Sequence, residues 1–284
     1  MTCVPVWGLK GCVTLSAATG CRPAGQALKR KVRTTAMLDQ TFIHVQGIGP
    51  ATERRLWAEG FANWDACLER PAEIPLGQAC RCRLLDAVEA SKAALAAGDS
   101  RYFARALQPG DHWRAIRSFR RVGYLDIETN GGTIVTVIGL YDGVRVRQYV
   151  RGDNLDVFLE DIEGYDALVT FFGSAFDLPM LRMAFPGLTF DVLHVDLCYA
   201  LRRLGYRGGL KAIEERVGIH RGDRTHGLDG WDAVRLWMEY RAGSEDSLAT
   251  LLAYNSDDIV NLEPLLDLAY EGLCRRARDG EERR

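Results

Sequence analysis

The 284-residue sequence lacks features that mark several common protein classes. No apolar stretch approaches the roughly 20 residues that a membrane-spanning helix requires, so we expect no membrane association. The formal net charge is only −2, and overall charge therefore gives no argument for a nucleic-acid partner. The five histidines form no obvious cluster, and we interpret them as structural residues.

The cysteines do not have the spacing of a metal or disulfide site. The eight cysteines include no C-x-x-C pair, which argues against a zinc ribbon. No disulfide framework is indicated either. Reduced thiols in a cytoplasmic protein are the simpler interpretation.

Residues 1–36 contain six basic residues and no acid. They lack the compact positive start and the continuous apolar centre of a secretion signal. We therefore predict that this segment is a disordered extension, or the product of an incorrectly assigned start.

A glycine-rich turn opens the first segment with ordinary periodicity, MLDQTFIHVQGIGPATERRLWAEGF. Pro50 suits the first position of a helix, and Gly47 and Gly49 allow a tight turn. Residues 37–75 resemble a helix-hairpin-helix module, in which backbone N–H groups at such a turn bind a nucleic-acid phosphate. A packing or protein-docking role is the alternative.

A helical connector is predicted over residues 76–117, with one helix from about Gly77 to Ala97. Six arginines and a single acid lie between Arg101 and Arg121. They form either a phosphate track or a solvated helix face. The candidates for nucleic-acid binding are Arg114, Arg117, Arg120 and Arg121.

Residues 118–273 alternate between strand and helix patterns, and residues 274–284 form a charged tail. Strands are predicted at 122–127, 133–141, 144–151, 167–172 and 190–195. Asp142 and Gly143 indicate a two-residue hairpin between the second and third strands. Helices are predicted at 155–163, from about Ser174, and up to Leu273. This order predicts a mixed sheet with helices on both faces.

The first predicted strand of this region ends in YLDIETNGG, residues 124–132. Because side chains alternate along a strand, Asp126 and Glu128 lie on one face. Two adjacent carboxylates repel each other unless a proton or a metal ion neutralises them. A strand that simply ends in a solvated turn is the alternative.

Two later segments contain further acids. In FFGSAFDLPML, Asp177 lies at a strand-to-helix junction, where it either serves chemistry or caps the helix, alone or together with Ser174. In LLAYNSDDIVNLEPLL, Tyr254 and Asp258 share the face of a helix that should be buried. A buried carboxylate requires a cation, and no lysine or arginine lies within one turn of Asp258 on that face.

Together, Asp126, Glu128, Asp177, Tyr254 and Asp258 resemble the tyrosine branch of the DEDD exonuclease superfamily, over about residues 118–272. The stretches HVDLCYALRRLGYRGGLKAIEERVGI and YNSDDIVNL are similar to YprB-like ribonuclease H domains. The resemblance implies an α/β fold with a ribonuclease H-like mixed sheet flanked by helices and preceded by a small helical domain. One departure is Phe172-Gly173, where that group often has Asn-Gly.

The resemblance also implies a mechanism. Asp126, Glu128, Asp177 and Asp258 would hold two Mg²⁺ or Mn²⁺ ions, Asp177 through water, while Tyr254 positions the attacking water. The expected reaction is 3′ to 5′ hydrolysis of single-stranded DNA or RNA; protein partners are not predicted. The alternatives are a nucleic-acid-binding or scaffold protein with little turnover, and an endonuclease that acts on structured DNA.

Overall fold

The structure, a computed structural model, describes residues 36–280. The predicted N-terminal extension, except for residue 36, lies outside the described residues, as do the last four residues of the predicted tail.

A five-stranded mixed sheet forms the centre of the fold, in the order β3-β2-β1-β4-β5. β1 pairs antiparallel with β2 and parallel with β4, while β2–β3 is antiparallel and β4–β5 is parallel. This arrangement confirms the predicted α/β class and mixed sheet. The strands are β1 (Val122–Thr129), β2 (Val135–Tyr141), β3 (Val146–Val150), β4 (Ala167–Thr170) and β5 (Leu193–Asp196).

Helices cover both faces of the sheet and also precede it in the chain. The α-helices of the described part are α1 (Pro50–Ala58), α2 (Trp64–Glu69), α3 (Gln78–Ala96), α4 (Ser100–Ala106), α5 (Phe158–Ile162), α6 (Asp177–Ala184), α7 (Leu197–Arg203), α8 (Leu210–Val217), α9 (Gly230–Arg241), α10 (Glu245–Val260) and α11 (Leu262–Asp279).

The two sides of β1 have different neighbours because its residues alternate between faces. Leu125 and Ile127 belong to a hydrophobic cluster that contains Phe158 of α5 and Leu181 of α6. The other face of the central strands packs against α10, which contacts β1, β2 and β3. The carboxylates of β1 therefore face α10.

The helices that precede the sheet share a hydrophobic cluster with it. Trp64 of α2 and Leu84 of α3 lie in the same cluster as Val169 of β4 and Leu265 of α11. The backbone N–H of Met37 donates to the hydroxyl of a tyrosine in α11 at 2.9 Å. The division into domains stays a prediction.

The hairpin between β2 and β3 differs from its prediction. Its loop contains the four residues 142–145 rather than two. The carboxylate of Asp142 accepts hydrogen bonds from Val144 N at 2.9 Å and Arg145 N at 2.7 Å. The carboxylate of Asp142 thus satisfies two backbone N–H groups of the loop.

Candidate active site

Asp126 and Glu128 lie on the face of β1 that α10 covers. Asp126 stands opposite Gly139 of β2 in the antiparallel register. A Cβ at Gly139 would lie 2.1 Å from Oδ1 of Asn255, so only glycine allows α10 to approach this closely. The approach brings the acidic residue of α10, Asp258, to the carboxylates of β1.

Three carboxylates meet at this point. Asp126, Glu128 and Asp258 each offer an oxygen, and these oxygens lie within 4.8 Å of one another. Glu128 and Asp258 are buried, whereas Asp126 is partly exposed. We call Asp126, Glu128 and Asp258 the carboxylate cluster.

Asp177, the fourth predicted acid, lies beside this cluster. Its side-chain Oδ1 accepts a hydrogen bond from the backbone N–H of Ile127 at 3.1 Å, between the two acids of β1. No side chain caps α6, and the hydroxyl of Ser174 donates to Asp196 instead. Both capping interpretations of Asp177 are therefore wrong.

The acids are held close to one another in a largely buried site. Burial, followed by repulsion from Asp258 and Asp177, raises the pKa of Asp126 and of Glu128 well above the usual range. Burial likewise raises the pKa of Asp177 and of Asp258. Either protons or cations must therefore balance the charge of these groups at neutral pH.

A buried arginine supplies part of this balance. Arg221 Nη2 donates to Asp258 Oδ1 at 2.5 Å, and Arg221 Nε donates to Glu214 at 2.7 Å. The sequence indicated no cation near Asp258 because Arg221 lies 37 residues earlier, outside the helix. Nothing in the local pattern around Asp258 reveals this pair.

Tyr254 lies on α10 one turn before Asp258, and its hydroxyl accepts a hydrogen bond from Lys211 Nζ at 2.7 Å. The ammonium of Lys211 also lies 4.3 Å from the centre of the Tyr254 ring. Burial, and then the nearby carboxylates, raise the pKa of Tyr254. The phenol is therefore protonated at neutral pH, and its hydrogen is available to donate.

Asn255 is a further polar residue that the sequence analysis did not identify. It is fully buried, and its Nδ2 donates to Asp126 Oδ2 at 3.1 Å. Gln148 of β3 in turn donates to Asn255 Oδ1 at 3.1 Å. The sequence signal that could have identified Asn255 is its place in the YNSDD motif, between Tyr254 and the two aspartates.

The four arginines of the predicted phosphate track lie in different environments. Arg114 is only 4% exposed and pairs with Glu53 of α1 at 2.9 Å, so a phosphate cannot reach it. Arg117 pairs with Asp267, and Arg121 pairs with Asp166 at 2.6 Å. Arg120 is exposed.

These arginines also lie away from the carboxylate cluster. Arg120 lies two residues before β1 begins at Val122, whereas Asp126 is six positions further along the chain, within the strand. At about 3.3 Å per residue, this separation is roughly 20 Å. Proximity in the sequence therefore does not place the arginines at the cluster.

The glycine turn precedes α1, and Pro50 occupies the first turn of that helix as predicted. Gly47 has a φ of +92°, a conformation that favours glycine, and Gly49 is the N-terminal cap residue. Before the turn lies a 3-10 helix of three residues, Leu38–Gln40. Both glycines are exposed.

The carboxylate cluster fits a divalent metal ion. Glu128 Oε1 is buried and has no hydrogen-bond partner among the described residues. An unpaired buried oxygen of this kind is costly unless a cation binds it. Carboxylate oxygens are also the hard ligands that Mg²⁺ and Mn²⁺ prefer.

Comparison with known proteins extends these observations. A comparison with curated proteins found no match. None of the helices in residues 36–280 is long and apolar enough to cross a membrane. Residues 123–270, just over half of the chain, match the RNase_H_2 family of the RNase_H superfamily. With its five-stranded mixed sheet and the acids on β1, the chain belongs to this family.

Proposed function

We propose that this protein is a metal-dependent 3′ to 5′ exonuclease of single-stranded DNA or RNA. Membership of the RNase H superfamily supports nuclease activity in general. The single observation that carries the proposal is the meeting of Asp126, Glu128 and Asp258, with Glu128 Oε1 buried and without a hydrogen-bond partner in the described part of the chain. The tyrosine-branch and YprB-like assignments belong to the same proposal.

Asp126, Glu128 and Asp258 would hold one Mg²⁺ or Mn²⁺ ion, and Asp126 would share a second with Asp177 through water. Bound ions of this kind lower the pKa of water and stabilise charge on a transferring phosphoryl group. Asn255 keeps the carboxylate of Asp126 oriented through its hydrogen bond. The ions would also replace the protons that the raised pKa values otherwise retain.

Tyr254 would position the attacking water. Its oxygen already accepts the hydrogen bond from Lys211, so its own O–H points to another acceptor. Because burial and nearby carboxylates raise the pKa of Tyr254, the phenol is a donor rather than a base. Lys211 fixes the rotation of this group and is a positioning residue.

Nucleic acid would first bind outside the cluster. We include the glycine turn at Gly47 and Gly49, as a helix-hairpin-helix-like site, together with the arginines near β1, Arg117, Arg120 and Arg121. Arg114 is not part of the proposal because it is buried with Glu53. Such contacts bind phosphates with little dependence on sequence.

One observation favours a second candidate function. Arg221 already pairs with Asp258, so a guanidinium competes with a metal ion for that carboxylate. A protein in which this competition prevails would bind nucleic acid with little turnover and act as a scaffold. The two candidates differ in their products and not in their affinity for nucleic acid.

A panel of end-labelled substrates tests the proposal. Single-stranded DNA, single-stranded RNA and a duplex are incubated with Mg²⁺, Mn²⁺ or a chelator. The proposed exonuclease releases nucleoside monophosphates from the 3′ end, only with metal. A single internal cut would indicate an endonuclease, and binding without cleavage would indicate a scaffold.

We also propose a cytoplasmic location. The cysteines of the described part are free thiols, as expected in a reducing compartment. Thiol labelling of the protein in intact cells tests this proposal, since oxidised cysteines would contradict it. The free cysteines are Cys67, Cys80, Cys82, Cys198 and Cys274.

A further inference from the structure

Phe172 has an unusual backbone conformation. Among residues 36–280, it is the one non-glycine residue with a positive φ, at +65°. This left-handed region strains a bulky side chain, whereas glycine and asparagine adopt it more readily. The phenylalanine side chain is 46% exposed, so packing within the protein does not compensate for the strain.

The surrounding turn is fixed by other residues. The carboxylate of Asp196, at the end of β5, accepts hydrogen bonds from Phe172 N at 2.8 Å and Ser174 N at 3.0 Å. Gly173 packs against Thr170, where a Cβ would lie 2.3 Å from its hydroxyl oxygen. None of these contacts uses the ring of Phe172, so the turn itself does not require a phenylalanine at this position.

A second exposed aromatic residue lies beside this ring. Tyr199 of α7 is 42% exposed, and its ring centre lies 6.3 Å from that of Phe172, at an angle of 34° between the planes. The guanidinium of Arg202, also exposed, lies 5.8 Å from the Tyr199 ring centre. We call Phe172 and Tyr199 the aromatic platform.

The platform lies at the edge of the sheet that carries the acids. β4 is parallel to β1, so the residues that follow β4 leave the sheet on the side where β1 ends. The turn is also tied to the start of α6, because Leu178 N donates to Gly173 O at 3.0 Å. Asp177, the first residue of α6, is thereby close to the platform in the fold.

We propose that the aromatic platform stacks against an unpaired base of the nucleic-acid substrate, beside the bond that is cleaved. This inference rests on the proposed nuclease function. The apolar faces match a base, and the positive charge of Arg202 matches the adjoining phosphate. Since a paired base has both faces covered within a duplex, the platform selects single-stranded ends.

Binding measurements without catalysis test this assignment. Fluorescence anisotropy of labelled single-stranded DNA and RNA is measured in chelator, for the wild-type chain and for Phe172→Asn. Asparagine tolerates the left-handed conformation, so we expect the thermal stability of this variant to be equal or higher. We expect its affinity to fall by about tenfold, the effect of losing one stacked base.

Base removal links the effect to stacking. The same titrations use oligonucleotides that carry one abasic site at successive positions from the 3′ end. At the stacked position, the abasic site weakens binding to the wild type but causes little further loss in Phe172→Asn. Phe172→Trp keeps an aromatic face at this position, so its affinity should match that of the wild type rather than that of Phe172→Asn. Comparison of DNA with RNA shows which sugar the site prefers.

A matched control and a parallel assay separate the possible failures. Val144→Ala removes an exposed apolar side chain from the hairpin loop at the opposite edge of the sheet, and binding should not change. If the wild type hydrolyses DNA or RNA but Phe172→Asn binds every oligonucleotide equally well, the platform is overturned and the nuclease stands. If the wild type neither binds nor hydrolyses nucleic acid, both proposals fail.

Discussion

Arg221 and Asp258 form a buried ion pair inside the candidate active site, with 2.5 Å between Nη2 and Oδ1. The same guanidinium donates to both carboxylate oxygens of Glu214, at 2.7 and 2.9 Å. A fixed positive charge therefore offsets part of the negative charge of the carboxylate cluster before any ion binds. This charge stabilises the metal-free protein and competes with a metal ion for Asp258.

Replacing this arginine tests the balance of charge. Arg221→Gln removes the guanidinium that pairs with the buried carboxylates of Glu214 and Asp258, so the free energy of unfolding without metal should fall by about 3 kcal/mol. Mn²⁺ should recover part of the loss, because the ion supplies the missing charge. Urea unfolding with chelator and with Mn²⁺ measures both effects.

Arg224→Gln is the matched control, since Arg224 lies nearby in the sequence but forms an exposed ion pair with Asp246. Its effect on the free energy of unfolding should be below about 1 kcal/mol. Equal losses in the two variants would contradict the assigned role of Arg221.

Removal of a proposed ligand should abolish hydrolysis but leave the fold intact. Asp126→Ala or Asp258→Ala should lower the cleavage rate by about a thousandfold or more, because a bound ion contributes several kcal/mol to transition-state stabilisation. Circular dichroism verifies the fold. Asp257→Asn is the control, since Asp257 accepts a hydrogen bond from Thr225 outside the cluster. Full activity in both alanine variants would place the nuclease site elsewhere.

Tyr254→Phe removes the hydroxyl that Lys211 holds and leaves every proposed ligand in place. We expect cleavage to slow by about tenfold to a hundredfold, the usual cost of a misplaced reactant. The affinity for Mn²⁺, measured by titration calorimetry, should stay within about twofold because no carboxylate is lost. Failure of this variant to bind Mn²⁺ would show that the hydroxyl is itself a ligand.

The raised pKa of Asp126 makes the stability of the metal-free protein depend on pH. A raised pKa favours the protonated folded form, so this contribution is present below the usual pKa near 4 and is lost as pH rises through the raised value. The Asp126→Asn variant has no carboxyl group to ionise at this position, so it keeps this contribution to stability at every pH. Without metal, the variant should therefore become more stable than the wild type as pH rises above the usual pKa of an aspartate.

Calorimetric unfolding at several pH values measures that difference. Comparing the two proteins removes the contribution of the buried histidines, which they share. With Mn²⁺ the order should reverse at high pH, because the wild type binds the ion more tightly. A difference independent of pH would show that Asp126 is not held among repelling charges.

A carboxylate placed at the glycine turn should weaken binding of nucleic acid. Gly49 has ordinary φ and open space around a Cβ, so Gly49→Glu should fold normally. Its negative charge should lower the affinity for nucleic acid. The slope of log affinity against log salt concentration should fall by the amount expected for about one phosphate contact. Val144→Glu, which adds the same charge at an exposed position in the loop between β2 and β3, is the control. Unchanged binding in Gly49→Glu would favour a docking role for the turn.

The sequence alone predicted those features that depend on local periodicity. The alternation of β1 placed Asp126 and Glu128 on one face, and their oxygens do lie together. Pro50 also begins α1 as expected, because its fixed φ and missing N–H suit that position. These features need no knowledge of distant parts of the chain.

Other features depend on segments that meet only in the folded protein. Arg114 was predicted as part of a possible phosphate track on the surface, but it is buried because it forms an ion pair with Glu53, 61 residues earlier in the chain. Asn255 reaches Asp126 because the residue opposite on β2 is glycine, which no pattern in α10 indicates. The partner of Asp258 likewise comes from the loop after α8.

The most direct test of the central claim is cleavage of a 5′-labelled single strand, followed on a sequencing gel. With Mn²⁺, the wild type should give a ladder of products that shorten from the 3′ end, whereas chelator and Asp258→Ala should give none. An uncut strand in the wild type with Mn²⁺, or an equal ladder in Asp258→Ala, would contradict it.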